Sequence, residues 1–502
     1  MVDMIPSPPQ RHRRTLSTTV VDETVAAAAT LVSKWHPDDA NSAYSLFLHA
    51  SAPEADHFLR AAADLHRSML FFASDPTNAH NGHGLVQAHH LLDTAMRRLQ
   101  LELRLLLSAP GRDHDARSLR ALAQTMMAAG YGKECISTFK ERRRAALRRL
   151  YTVVQLHKLT WDQVDDNIQS WLATARAAFS SVFPAEKELC DTVFAGDASV
   201  GDAVFEDVAN DQAANLLAVA EAAVARARRA PERLFRVLDV HDALSEVLPA
   251  ILSVFGDRSE VAKRACSALF KAGEAARGAL ASLEASIQKE PSKATAAGGA
   301  VHPLTRYVMN YLVFLADYEG ALDRINHQQQ QQGSPECSSS SSSSSSMSIG
   351  WLVQVLLRKI EAKGGSYREA ALGHLFLANN THYVAKKVTN LQEAIEEDDY
   401  GAAARRHVDA YVRAAWGKVL NAIAAADGVE EAVMEAVATQ ERWVAADEEM
   451  GEMLRAAATA AVVPKYRMFY RRHGAAVRLT PGDVNAMIAA LFGGIATDST
   501  SC

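Results

Sequence analysis

Residues 89–107 read HHLLDTAMRRLQLELRLLL, and their apolar side chains recur at the spacing of one face of an α-helix. The predicted buried face consists of Leu92, Met96, Leu99, Leu103 and Leu106. The same spacing recurs at residues 207–229, 232–255, 258–287 and 406–423. We find no convincing series of alternating strands, so the sequence predicts an all-α protein and argues against a nucleotide-binding α/β sheet.

Composition is that of an ordinary soluble protein. The chain has 502 residues, 48% hydrophobic and 22% charged, with a net charge of -6. Its length allows two or more domains or one extended array. The five cysteines are widely spaced and include no CxxC pair, which favours reduced thiols in the cytosol. No apolar stretch is long enough to span a bilayer, so any membrane contact is expected to be peripheral.

Two segments have compositions that do not favour a packed core. Residues 1–24 are polar and rich in proline, and we expect them to be disordered, followed by a helix near Thr24–Trp35. Residues 327–346 read HQQQQQGSPECSSSSSSSSS, which predicts a flexible surface loop inserted between helical segments. A weaker loop is predicted over Lys289–Pro303.

A basic segment stands out in this acidic chain. Residues 462–479 read VVPKYRMFYRRHGAAVRL and contain no Asp or Glu. The basic patch, as we call it, consists of Lys465, Arg467, Arg471, Arg472 and Arg478. We expect Pro464 in the first turn of a helix and Tyr466, Phe469 and Tyr470 on its buried stripe. The outward cationic face would attract phosphates, and an ordinary solvated helix surface is an equally open alternative.

Six segments carry a resemblance to a known family. They are MMAAGYGKECISTFKERRR from Met126, VFPAEKELCDTVFAG from Val182, VHPLTRYVMNYLVFLADY from Val301, LGHLFLANNTHYVAKKV from Leu372, VVPKYRMFYRR from Val462 and VNAMIAALFGG from Val484. In this order they resemble the Exo-seventy subunit family of the exocyst vesicle-tethering complex, in its expanded land-plant branch. The match covers roughly residues 40 to 495, and no single motif would suffice.

The resemblance implies an elongated rod of consecutive stacked helical bundles. Together with composition, it leads us to expect a disordered N-terminal segment 1–24, an N-terminal helical region 25–125, an exocyst-subunit-like helical rod 126–495 with a low-complexity loop at 327–348, and a flexible tail 496–502. It also implies a non-enzymatic tether in the cytoplasm, peripheral at the plasma membrane, that docks secretory vesicles in exocytosis. The expected partners are other exocyst subunits and anionic phosphoinositides, with small GTPases or adaptor proteins as further candidates.

Two departures from the family keep an alternative open. The segment before the matched region is short, which makes assembly with other subunits less secure. The family pattern Lys-Tyr-Ile-Lys-Tyr is replaced by AAVRL at residues 475–479, where Arg478 alone keeps a positive charge and Ala475 loses one. The alternative is a diverged helical scaffold or adaptor, in immunity or autophagy, that no longer joins the complex.

Catalytic and cofactor motifs were weighed against structural explanations. GYGKE at Gly130–Glu134 is far more typical of a helix-capping turn than of a phosphate loop. The histidines of NAHNGHGLVQAHH, half of which we expect to be loop, do not show the spacing of a metal site. Cys135 and Cys190 fit small buried apolar side chains. We therefore expect no enzyme activity, no cofactor and no metal.

Other polar and basic residues admit two interpretations. Lys386 and Lys387 could add to the basic patch if they lie near it. The run KERRRAALRRLY at Lys140–Tyr151 is more typical of a solvated face paired with acids than of a binding site. Nucleic-acid binding is not expected, because RNP and zinc motifs are missing and the isoelectric point is about 6.3. Asn379 and Asn380 are expected to bond backbone at a helix junction.

Overall fold

The protein is described by a computed structural model, in which every regular element of the described part is helical. The described residues are 18–39, 44–74, 79–108, 116–150, 161–227, 230–293, 295–332, 348–389, 400–474 and 477–493. Eighteen α-helices lie within these ranges, together with brief π- and 3-10-helical turns and no β-strand. The prediction of an all-α protein is therefore confirmed.

The chain divides into two compact units. One comprises Met1–Ala223 with Ala243–Phe270, and the other comprises Val224–Asp242 with Lys271–Cys502. The division predicted at residues 125 and 126 does not coincide with these units, because both residues lie within one helix, Ala116–Ala128, of the first unit.

The first unit buries the helical face from which the fold was predicted. Its helices are α1 Thr18–Lys34, α2 Ala52–Ala73, α3 Ala79–Ser108, α4 Ala116–Ala128, α5 Gly132–Leu150, α6 Trp161–Ala177, α7 Phe183–Val193 and α8 Ala198–Ala227. α3 packs against α2 and α5. All five residues of the predicted α3 face are buried, the most exposed being Leu106 at 5%. Each such burial favours folding by about 1.5–3 kcal/mol.

The second unit contains the C-terminal helices. α9 Leu234–Phe255 and α10 Glu260–Lys289 each contribute residues to both units. The helices wholly within the second unit are α11 Pro303–Ala316, α12 Glu319–Gln332, α13 Ile349–Gly364, α14 Ala370–Val388, α15 Tyr400–Ala425, α16 Val429–Gln440, α17 Glu448–His473 and α18 Pro481–Ala489. α15 packs against both α14 and α17, and α18 packs against α17. Tyr411 and Trp416 of α15 are fully buried in this core.

Two predicted segment boundaries were wrong. α1 begins at Thr18, so the expected disorder cannot extend to residue 24; Val21 and Val25 are already buried there at helical spacing. α12 continues to Gln332, so the expected loop does not start at residue 327. Glutamine is a good helix former, so the glutamine run extends α12 even though its low-complexity composition predicts a loop. Residues 1–17 and 333–347 lie outside the described part.

Pro464 does not begin a helix. α17 starts sixteen residues earlier, where the side chain of its N-cap Asp447 accepts a hydrogen bond from Met450 N. Acidic residues fill the first turn of the helix, which its macrodipole favours. Pro464 lies inside the helix on its exposed side, where it removes one backbone hydrogen bond and its ring crowds the carbonyl four residues earlier, yet the helix continues to His473.

The glycines of two turn-like motifs have different roles. The NAHNGHG stretch, expected to be partly loop, is helical from Ala79 onward as the start of α3, and its first residue, Asn78, lies outside the described part. A Cβ at Gly84 would lie 2.7 Å from the Phe72 ring, so this glycine allows α2 and α3 to approach closely. Gly130 instead has φ 87°, and Tyr131 N donates to Met126 O at 2.9 Å. The predicted helix-capping turn is therefore confirmed.

Candidate functional site

The C-terminal half of α17 is anchored by aromatic side chains. Tyr466 is completely buried and Phe469 is 8% exposed, with their ring centroids 5.9 Å apart, while Tyr470 is half-buried. The Tyr466 hydroxyl donates to Leu479 O at 2.9 Å, which ties the helix to the segment that follows it. The pKa of Tyr466 is raised to about 12, mainly by burial and secondly by the negative charge of Glu430. The predicted aromatic stripe is confirmed.

Four cations of the basic patch lie on the opposite side of the same helix, and the fifth, Arg478, lies on the segment that follows it. All five of its side chains are exposed. Within the described ranges, none of the five forms a salt bridge with a carboxylate. The buried aromatic stripe therefore holds α17 in place while the cations face solvent.

Met468 lies in the middle of this cationic face. At 100° per residue, Lys465 and Arg472 fall on one side of Met468, and Arg467 and Arg471 fall on the other. Met468 is 57% exposed, one of the larger apolar exposures in the described chain. Sequence reasoning missed this residue, although a helical projection of the segment could have found it.

Arg478 is presented by a short segment that is fixed on both sides. Glu430 Oε1 accepts hydrogen bonds from Arg478 N at 2.5 Å and from Leu479 N at 2.6 Å. A capping box between Thr480 and Asp483 then begins α18. The Arg478 side chain is exposed, and the Glu430 carboxylate next to its backbone offsets part of the positive potential. Ala475 lies outside the described residues.

A structural role accounts for part of the positive charge. Arg471, Arg472 and His473 occupy the last turn of α17. Cations there interact favourably with the helix dipole, typically by about 0.3–1 kcal/mol each at an exposed site. The His473 ring also stacks on Phe469 at 5.1 Å. Lys465 and Arg467 lie outside that last turn, so the dipole does not explain them.

Lys386 and Lys387 do not lie beside the basic patch. Lys386 Nζ is 2.9 Å from Asp447 Oδ2 and 3.6 Å from Glu449, at the beginning of α17. The N-cap Asp447 and Arg471 are separated by 24 residues, about 36 Å along a helix. Lys387 lies over the Tyr383 ring at 5.8 Å. The expectation that these lysines extend the patch was wrong, because Lys386 pairs with carboxylates at the opposite end of α17.

The Lys386 cluster is an ion-pair network. His382 Nε2 is 3.1 Å from Asp447 Oδ1, and His382, Asp447 and Glu449 have ligand atoms within 4.8 Å of one another. Lys386 already supplies positive charge to both carboxylates. The hydrogen bond that Lys386 donates to the Asp447 carboxylate is the main reason that the pKa of Lys386 is raised. The cluster fixes the N-cap of α17 rather than offering an open metal site.

The second basic run is paired with acids, as predicted. Arg143 forms a two-pronged contact with Glu186, with Nη2 2.6 Å from Oε2, and Glu186 is buried. Lys140 pairs with the Asp207 carboxylate, and Arg144 Nε donates to Asp207 O at 2.8 Å. The side chains of Arg149 and Leu150, and all of Val154, lie outside the described part. This helix therefore differs from the basic patch, whose cations have no such partners among the residues that the structure describes.

The predictions for two asparagines and two cysteines are confirmed. Asn379 Nδ2 donates to Gly299 O at 2.7 Å and to Val444 O at 2.8 Å, and Asn380 Oδ1 accepts from His302 N at 2.9 Å. Cys135 and Cys190 are fully buried. In both cases burial is the main cause that raises the pKa of the thiol to about 12.

Comparison with known proteins identifies the family. The C-terminal family model of the Exo70 exocyst complex subunit matches residues 169–490, and the N-terminal family model of the exocyst complex component Exo70 matches residues 24–109. Exocyst complex component EXO70B1 of Arabidopsis thaliana is 30% identical over 386 residues, covering 70% of this chain and 61% of the relative. EXO70A1 of the same plant is 25% identical over 574 residues, covering 94% of this chain and 89% of the relative. The chain therefore belongs to the Exo70 exocyst-subunit family.

The fold agrees with this assignment. The crystal structure of the exocyst component Exo70p of S. cerevisiae matches with a TM-score of 0.64 over 93% of this chain and 99% of that one, at 12% identity. At that identity the match concerns the fold alone. The resemblance drawn from the six sequence motifs is confirmed. None of the helices in the described ranges is long and apolar enough to cross a membrane.

Proposed function

We propose that this chain is a non-enzymatic subunit of an exocyst-type vesicle-tethering complex. In this proposal it binds anionic phosphoinositide membranes peripherally through the basic patch and docks secretory vesicles at the plasma membrane. Membership of the Exo70 family supports the tethering role. The single observation that carries the membrane role is the set of five exposed cations without salt-bridge partners in the described chain.

The energetics of the patch fit reversible membrane binding. Each Lys or Arg near an anionic leaflet contributes about 1 kcal/mol, so five contribute about 5 kcal/mol. That corresponds to a dissociation constant on the order of 0.1 mM, before the opposing charge of Glu430 is considered. A single patch of this strength gives weak attachment, and the other subunits of a complex would add further contacts.

Liposome sedimentation across lipid compositions and salt concentrations tests this proposal. The chain should sediment with phosphatidylcholine vesicles that contain phosphoinositide, and should remain in the supernatant with pure phosphatidylcholine vesicles. Binding should weaken with added salt, because charge interactions are screened beyond about 8 Å at physiological ionic strength. Equal binding to neutral vesicles, or binding that does not respond to salt, would contradict the electrostatic mechanism.

The diverged-scaffold alternative is favoured by one sequence feature. Residues 475–479 retain only Arg478 of the basic family pattern. Co-purification separates the two functions, since a tethering subunit should bring other exocyst subunits with it at stoichiometric levels. If tagged chain purifies without them while its lipid binding is intact, the scaffold interpretation is correct. Restoring charge with Ala475→Lys should strengthen lipid binding in either case.

A further inference from the structure

Helix α11, in the second unit, exposes an aromatic stripe. Tyr307 is 49% exposed and Phe314 is 63% exposed. They lie seven residues apart, on one face of the helix and about 10 Å from each other along its axis. Asn310, also exposed, lies between them. Large aromatic side chains on a surface commonly mark sites of protein–protein contact.

The stripe rests on a packed layer of aromatic rings. Tyr311 lies beneath it, 6.4 Å from Tyr307, and its hydroxyl donates to Pro231 O at 2.8 Å. The Phe235 ring is 5.1 Å from Tyr311 and 5.8 Å from Tyr318. Because these rings hold the underlying layer in place, a partner would meet a preformed apolar surface and would pay little for ordering it.

Acidic side chains lie at both ends of the stripe. Glu232 is exposed near Tyr307. Burial is the main cause that raises the pKa of the Tyr307 phenol, and the negative charge of Glu232 is the second cause. Asp317 is exposed and follows Phe314 by three residues on the same face. Neither carboxylate has a salt-bridge partner within the described ranges. An anionic membrane would be repelled here, whereas a basic protein segment would be attracted.

We propose that this α11 aromatic face, formed by Tyr307 and Phe314 between Glu232 and Asp317, docks a basic amphipathic helix of a protein partner. The partner would present two apolar side chains at positions i and i+7, whose spacing of about 10 Å matches that of Tyr307 and Phe314. Lys or Arg side chains outside these anchors would meet the two carboxylates. This surface has the opposite charge to the basic patch and would serve protein contact rather than lipid contact.

Fluorescence anisotropy with designed peptides tests the assignment. The probe is a fluorescein-labelled amphipathic helical peptide with leucines at i and i+7 and flanking lysines, titrated with the full chain. The wild-type chain should bind it saturably, and Tyr307→Ser/Phe314→Ser should weaken binding at least about tenfold, as loss of a hot spot does. The control is Leu70→Ser, which removes an apolar side chain that is 55% exposed in the first unit, outside α11. This variant should bind the peptide like wild type.

A charge exchange separates specific docking from general attraction. Glu232→Lys/Asp317→Lys should reverse the preference, so that a matched peptide with flanking glutamates binds better than the lysine peptide. The proposal is overturned if the serine double variant binds as well as wild type, or if wild type shows no saturable binding. It is also overturned if the chain self-associates with rising concentration and Phe314→Ser abolishes this, because a second copy would then be the occupant.

Discussion

A buried ion pair in the first unit gives the sharpest stability prediction. Arg98 and Glu102, one turn apart on α3, have side chains that are 2% and 0% exposed. Glu102 accepts hydrogen bonds from Ser45 Oγ at 2.6 Å and from Leu46 N at 2.8 Å, and Arg98 donates to Tyr44 O at 2.6 Å. The pair therefore fastens residues 44–46 to α3.

Replacing Glu102 with Gln removes the negative charge and keeps the shape. The Arg98 guanidinium would then be buried without a counter-charge, which typically costs about 3–5 kcal/mol. An amide can also accept from fewer of the four donor groups that now converge on the carboxylate. For a unit of roughly 150–250 residues, such a loss lowers the melting temperature by about 6–20 °C.

Chemical denaturation followed by circular dichroism measures this effect, with the two units treated as separate transitions. The double variant Arg98→Met/Glu102→Leu leaves no lone buried charge. Its loss of unfolding free energy should therefore be smaller than the sum of the losses caused by Arg98→Met alone and Glu102→Leu alone. A Glu102→Gln protein within about 1 kcal/mol of wild type would refute the claim that this pair holds the segment in place.

Further predictions concern other parts of the chain. Deleting residues 333–346 should leave the melting temperature within a few degrees, because loop closure entropy depends only weakly on length; a loss of helicity would show a structural role. Asn379→Ala should cost about 2–4 kcal/mol in denaturation, since it leaves buried backbone groups without partners, whereas exposed Asn310→Ala should cost little. Maleimide should label exposed Cys266 well before Cys135, whose thiol has its pKa raised from 9.0 to about 12 by burial. The same shift predicts that stability contributed by Cys135 is present below pH 9 and is lost as pH rises towards about 12.

Sequence patterns predicted the features that depend on local spacing. The buried α3 face, the aromatic stripe of α17 and the capping turn at Gly130 all follow from helical periodicity or turn chemistry, and the structure contains them. Pro464 was misplaced because the helix around it had already begun at a distant N-cap, and a proline on the exposed side does not stop it.

Features that depend on tertiary packing were not predictable in the same way. Lys386 seemed available for the basic patch, yet its helix meets α17 at the Asp447 end. Arg98 and Glu102 were not singled out from the sequence, because their burial depends on the packing of residues 44–46 over α3. Periodicity shows which face of a helix is apolar, but it does not show which neighbour covers that face.

Two charge-reversal variants are needed to test the membrane role. The patch variant is Arg471→Glu/Arg472→Glu/Arg478→Glu. Its matched control reverses three exposed cations that are scattered over other helices, namely Arg60→Glu/Lys133→Glu/Lys271→Glu. Both variants change the net charge by the same amount, so a difference between them reports position rather than total charge. Circular dichroism should show unchanged helicity in each.

The most direct test of the central claim is sedimentation of these two variants with phosphoinositide liposomes at physiological salt. Three reversals remove three attractive charges and add three repulsive ones, a change of about 6 kcal/mol near the leaflet. The account predicts that the patch variant no longer binds, while the scattered control binds nearly as wild type does. If the patch variant sediments as wild type does, the basic patch is a solvated helix surface and the membrane role assigned to it is wrong.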